Sequence, residues 1–140
     1  MGSVPLHYVD LRAFCYATED DQRVETALGT FLPDEHPVER AESEGHHGDR
    51  ILVLSARVES ADGIRHVLSR LADADGAERV REELDQRVTD NCELFVALDK
   101  QAAFEGRPAL GDGLKLRAKV EAYPAKKPAA VENARRALPE

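Results

Sequence analysis

From Leu6 to Tyr16 the chain alternates. His7, Val9, Leu11, Ala13 and Cys15 share one face of an extended segment, and Tyr8, Asp10, Arg12 and Phe14 share the other. The spacing then changes: Val24, Ala27, Leu28, Phe31 and Leu32 recur at helical intervals. Thr18 is the expected N-cap of this helix and Pro33 its end. Val38 to Ser43 reads as a polar, edge-like strand. Asp49 to Val58 is the most apolar strand, with Leu52, Leu54, Ala56 and Val58 on one side. The turn Gly45-His46-His47-Gly48 joins the two as a hairpin.

Ser60 caps a second helix with the stripe Ile64, Val67, Leu68 and Leu71, broken at Asp75-Gly76. A weaker helix carries Val80 and Leu84 and stops near Val88. Glu93 to Leu98 is a short strand, and Lys100 to Glu105 is one helical turn before a Gly/Pro-rich loop. Leu114 to Tyr123 is the last strand. Pro124 stops it, and Pro128 opens a C-terminal helix over Ala129 to Leu138. The order β-α-β-β-α-α-β-turn-β-α predicts an α+β fold, with helices on one face of a largely antiparallel sheet and the other face open. A chain of 140 residues suits one domain over 1–140, with a core over about 6–124 and the C-terminal helix over about 128–138.

Composition adds a solvent to this picture. The net charge is −8, and of 19 basic residues only Lys100, Lys115, Lys119, Lys126 and Lys127 are lysines. Acidic, lysine-poor surfaces suit proteins that fold in molar salt, where self-repulsion is screened over about 3 Å. No apolar run approaches the roughly 18 residues of a membrane span. The N-terminal segment has neither the basic region nor the apolar core of a secretion signal, so a cytoplasmic location is expected. Cys15 and Cys92 belong to no Cys-x-x-Cys pair and are expected to be reduced and at least half-buried.

The basic residues are unevenly placed. Between Gly113 and Arg136, Lys115, Arg117, Lys119, Lys126, Lys127, Arg135 and Arg136 meet only Glu121 and Glu132. Strand periodicity puts Lys115, Arg117 and Lys119 on one face. A positive island on an acidic chain is a footprint for phosphate. Tyr8 and Arg12 supply groups that can stack on bases, and His46 and His47 sit in a Gly-flanked turn that can meet base or phosphate. The competing readings are a solvated strand face for the cations, a packing or oligomer contact for Tyr8 and Phe14, and a plain turn for the histidines. His36, His46 and His47 match no zinc spacing, and no nucleophile elbow, phosphate-binding loop or His-Glu-x-x-His is present. No cofactor, metal or catalysis is expected.

Four segments together resemble a known family. They are His7-Tyr8-Val9-Asp10-Leu11-Arg12-Ala13-Phe14, Glu42-Ser43-Glu44-Gly45-His46-His47-Gly48, Leu98-Asp99-Lys100-Gln101-Ala102-Ala103-Phe104 and Lys119-Val120-Glu121-Ala122-Tyr123-Pro124-Ala125-Lys126. Their order and separation are similar to those of the archaeal RNA-binding proteins described as predicted exosome subunits. The resemblance implies a fold like ribosomal protein L5, comparable with double-stranded-RNA-binding domains, and a non-catalytic RNA-binding role linked to the exosome. The expected partners are RNA and exosome subunits, with a homodimer as a further arrangement and no membrane. The rival is an acidic protein-interaction subunit of a ribonucleoprotein complex, with little direct RNA contact.

A surface built for brine has a thermodynamic signature. The thermal midpoint, followed by circular dichroism, should climb steadily from millimolar to molar KCl as self-repulsion is screened. A midpoint that stays flat across that range would overturn the salt-adapted reading and favour an acidic face made for a basic partner.

Overall fold

Period-two alternation and a single helical layer decide the architecture. The structure, a computed structural model, describes residues 4–44, 48 and 50–138. The elements are β1 (Leu6–Cys15), α1 (Asp21–Gly29), β2 (Glu39–Glu44), β3 (Arg50–Val58), α2 (Ala61–Ala72), α3 (Ala77–Glu82), α4 (Leu84–Arg87), β4 (Glu93–Asp99), α5 (Lys100–Phe104), β5 (Gly113–Val120) and α6 (Lys127–Ala137). The sheet has the order β2-β3-β1-β5-β4, and every pairing is antiparallel. The expected α+β fold with helices over one sheet face is what forms.

The core lies between that face and the helices. β1 contributes Leu6, Val9, Leu11, Ala13 and Cys15; β3 contributes Leu52, Leu54, Ala56 and Val58; β5 contributes Leu114, Leu116, Ala118 and Val120. The predicted stripes of α1 and α2 close over them, Phe31 and Ile64 included. Ser60 caps α2 as predicted, its Oγ accepting from the Gly63 N–H at 3.0 Å. Both cysteines are free and buried. No helix among the described residues is long and apolar enough to cross a membrane.

Four local expectations need correction. The register of β1 on β5 shifts between Leu6 and Tyr8, so Leu6 enters the core and His7 is exposed. A bulge adds one residue to the pleat and reverses the alternation beyond it. The N-cap of α1 is Asp20, whose Oδ1 accepts from the Gln22 N–H at 2.9 Å, rather than Thr18. The third predicted helix breaks into α3 and α4 around Glu83, which leaves helical geometry at φ −106°. Pairing of the last strand ends at Val120, and Tyr123 is 98% exposed.

Two details set where the open face lies. β2 is one of the two edge strands, all six residues exposed, and Arg40 ties it to Asp21 and Glu25 of α1. At the other side, Gly113 starts β5 at φ +105°, where a Cβ would fall 2.6 Å from the Lys100 Cβ. Only glycine adopts this conformation freely, so Gly113 lets β5 enter the sheet directly beside α5 and fixes the phase of Lys115.

Leu11 is fully buried in the central strand, opposite Ala56 on one side and Leu116 on the other. Leu11→Ala should therefore lower the unfolding free energy by about 2–5 kcal/mol in a urea titration, the cost of the lost transfer and the residual cavity. A loss below about 1 kcal/mol, the range of surface changes, would mean that the packing at the sheet centre is misassigned.

Candidate nucleic-acid interface

The face away from the helices carries Tyr8, Asp10, Arg12 and Phe14 of β1. Antiparallel register places side chains from the neighbouring strands beside them. Asp10 faces Arg57 of β3 and Arg117 of β5, Arg12 faces Ser55 and Lys115, and Tyr8 faces Lys119. β4 extends these rows, with Glu93 opposite Lys119, Phe95 opposite Arg117 and Ala97 opposite Lys115. Five of the predicted contact residues, Tyr8, Arg12, Lys115, Arg117 and Lys119, thus share one surface.

Asp10 is the hub. Arg57 donates to both its oxygens, Nε to Oδ1 at 2.7 Å and Nη2 to Oδ2 at 2.9 Å. Arg117 Nη2 donates to Oδ2 at 2.7 Å from the opposite strand, and Arg117 also lies 3.6 Å from Glu93. Burial alone would raise the Asp10 carboxyl; hydrogen bonds from Arg57 and Arg117 outweigh it and hold the group below its ordinary value of 3.8. The same hydrogen bonds, donated to Asp10, push both guanidinium groups upward. The Arg57 guanidinium rests 3.8 Å from the centre of the Tyr8 ring, so Tyr8 is already stacked within the protein.

The other cations divide into engaged and available groups. The Lys119 ammonium donates to the Asn91 carbonyl. Arg135 and Arg136, part of the predicted positive island, pair with Glu132 on α6. Arg12 and Lys115 are exposed and have no carboxylate partner among the described residues; Arg12 only leans on Phe14, 5.5 Å from its ring centre. Lys126 and Lys127 begin α6, whose buried Ala130, Val131 and Ala134 pack into the helical layer. His46 and His47 lie outside the described residues.

A shallow groove of about 510 Å³ runs over this face, with Arg12, Ser55, Arg57, Phe95, Lys115 and Arg117 among its walls. Phe95 and Arg57 had not been singled out from the sequence. Phe95 sits in an unbroken apolar run, Leu94 to Leu98, that signals no preferred face. Arg57 becomes visible only once register sets it beside Asp10. A groove of about 550 Å³ between α1 and α5 is slightly larger. It is a poorer place for a polyanion, because four carboxylates, Glu19, Asp20, Asp99 and Asp112, outnumber its two cations, whereas Asp10 and Glu39 in the sheet-face groove meet four. Its cations are also occupied, Lys100 by Glu19 and the Phe14 carbonyl, and Arg23 by the Phe104 ring at 4.0 Å. Among the described residues no group of three or more His, Cys, Asp or Glu side chains is arranged to hold a metal.

The hub has a measurable pH signature. A carboxyl held below its ordinary value contributes stability that is full above 3.8 and is lost as pH falls through the lower folded value. Asp10→Asn should cost about 1–2 kcal/mol near neutral pH, because water can still reach the two half-exposed arginines. Urea titrations should show the gap between wild type and variant closing as the solution is acidified below the ordinary carboxylate range. A gap that stays constant into acid would mean that the Asp10 charge contributes nothing to the fold.

Comparison with known proteins gives the family. A family model described as RNA binding matches residues 8–120. The chain is 31% identical, over an alignment of 145 positions, to an RNA-binding protein of Pyrococcus abyssi, covering 96% of this chain and 94% of that one. Among solved structures it is similar to a DUF54 protein of Methanothermobacter thermautotrophicus, 38% identical with a TM-score of 0.78, covering 96% of this chain and 98% of the other. It is also similar to a DUF54 protein of Archaeoglobus fulgidus, 26% identical with a TM-score of 0.84, covering 94% of this chain and 99% of the other. A model matched from the first strand to the last, on a sheet that gathers cations on its uncovered face, shows that the chain belongs to this RNA-binding family.

Proposed function

We propose that this chain is a non-catalytic RNA-binding protein that receives RNA on the open face of its sheet. The observation that carries this reading is the pair Arg12 and Lys115. They are cross-strand neighbours at the groove, exposed and without carboxylate partners among the described residues, on a chain whose net charge is −8. Elsewhere on the face Asp10 and Glu93 hold the cations in place. Arg57 and Arg117 therefore serve as an ordered frame whose remaining N–H groups can donate to phosphate or ribose. Lys119 borders the same face, and Lys126 and Lys127 form a second basic corner at the start of α6. Tyr8, and His46 and His47 from the sequence between β2 and β3, complete the proposed contact set.

Charge alone does not hold RNA in concentrated salt, since the gain from released counterions shrinks as bulk salt rises. Oriented arginine hydrogen bonds and stacking persist there, and this face offers both. The resemblance to predicted exosome subunits supports an L5-like fold and an accessory role in archaeal RNA processing.

The test is a dissociation constant for a mixed-sequence RNA at several KCl concentrations. Changing Arg12 and Lys115 together to Gln should weaken binding and flatten the slope of log K against log salt by roughly one to two units. Arg117→Gln should flatten it less, because its charge already faces Asp10 and Glu93. If the double variant keeps both affinity and slope, RNA does not bind on this face.

A further inference from the structure

Phe95 is 41% exposed beside the charged middle rows of the sheet. Its strand neighbours Leu94 and Val96 are buried on the helical side, so the ring points onto the open face. It faces Arg117 across the strands, and Lys115 faces Ala97 one pleat further on. Phe95 and Lys115 are thus diagonal neighbours, about 7–8 Å apart, and Arg12 lies about 5 Å beyond Lys115 on the next strand. Ala97 and Ser55 are small, which keeps the groove floor low on either side of the Arg12–Lys115 pair. Arg117, opposite the ring, is held by Asp10 at 2.7 Å and Glu93 at 3.6 Å, a fixed wall.

An exposed ring beside an ammonium, with a second cation one strand away, neither having a carboxylate partner among the described residues, matches the parts of one unstacked nucleotide and its neighbour. A duplex keeps its base faces stacked inside and offers a protein only phosphates, sugars and base edges. It has nothing to place on Phe95. A single strand can turn a base outward onto an aromatic ring while its backbone follows the cations. We infer that the groove takes an unpaired base of single-stranded RNA, stacked on Phe95, with the flanking phosphates on Lys115 and Arg12. This rests on the sheet-face reading above and adds the class of RNA.

The experiment compares a mixed-sequence 12-nucleotide RNA with the same RNA annealed to its complement, using anisotropy at moderate KCl. The wild type should bind the single strand at least tenfold more tightly. Phe95→Leu, which keeps apolar bulk and loses the ring, should weaken single-strand binding roughly 5- to 150-fold with no change in salt slope. Phe95→Tyr should restore it, and neither change should alter duplex binding. A 2-aminopurine placed in the single strand should be quenched on binding the wild type and the Tyr variant, and not the Leu variant. Equal affinity for the two RNA forms, or a Leu variant that binds and quenches like wild type, would overturn this assignment. If the Arg12 and Lys115 double variant still weakens binding in that case, the sheet-face reading stands without it. Failure of the wild type to bind either RNA would remove both.

Discussion

One layer of helices covers one face of a five-stranded sheet, and everything else in this protein follows from the face left bare. The pleat sends half of each strand's side chains to that side, where no second layer can bury them. An apolar set there would leave a large exposed hydrophobic patch. The chain instead arranges charge across the middle strands. Asp10 stands in the central strand and accepts from Arg57 on one neighbour and Arg117 on the other. A carboxylate so placed links three strands across the face that has no core. It also spaces the guanidinium groups, which would otherwise repel one another.

This arrangement separates two roles that charge can play. The arginines around Asp10 give the surface a fixed shape, and Arg12 and Lys115, without carboxylate partners among the described residues, are the cations proposed to meet an external anion. Rigid donors lose little freedom when a ligand arrives, so more of each contact appears as affinity. The exposed ring of Phe95 stands at the border of these groups, on the edge strand β4 opposite Arg117.

Much of the fold was legible because period two and period 3.6 leave distinct apolar patterns. The buried faces of β1, β3 and β5 and the stripes of α1 and α2 lie where alternation and spacing put them. What escaped were breaks in period and long-range pairings. One bulge moved Leu6 inward and His7 outward. Asp20 replaced Thr18 as a cap, since two good capping residues stood within three positions of each other. The Asp10 hub joins residues 47 and 107 positions apart, and nothing local announces it. The positive island was real in sequence yet divided in space. Arg117 is compensated by Asp10 and Glu93, Arg135 and Arg136 by Glu132, and Lys126 and Lys127 begin a helix packed on the covered side.

The edge strand β2 bears on solubility. A free strand edge is a template onto which another chain can add, and this one is exposed along its whole length. Glu39, Glu42 and Glu44 punctuate it. In dilute buffer like-charge repulsion would keep a second copy away, but in molar salt that repulsion reaches only about 3 Å. The cost of stripping water from carboxylates is a contact property that screening does not remove. An edge guarded by hydration rather than by field keeps its protection in brine, where a hydrophobic edge would aggregate most readily.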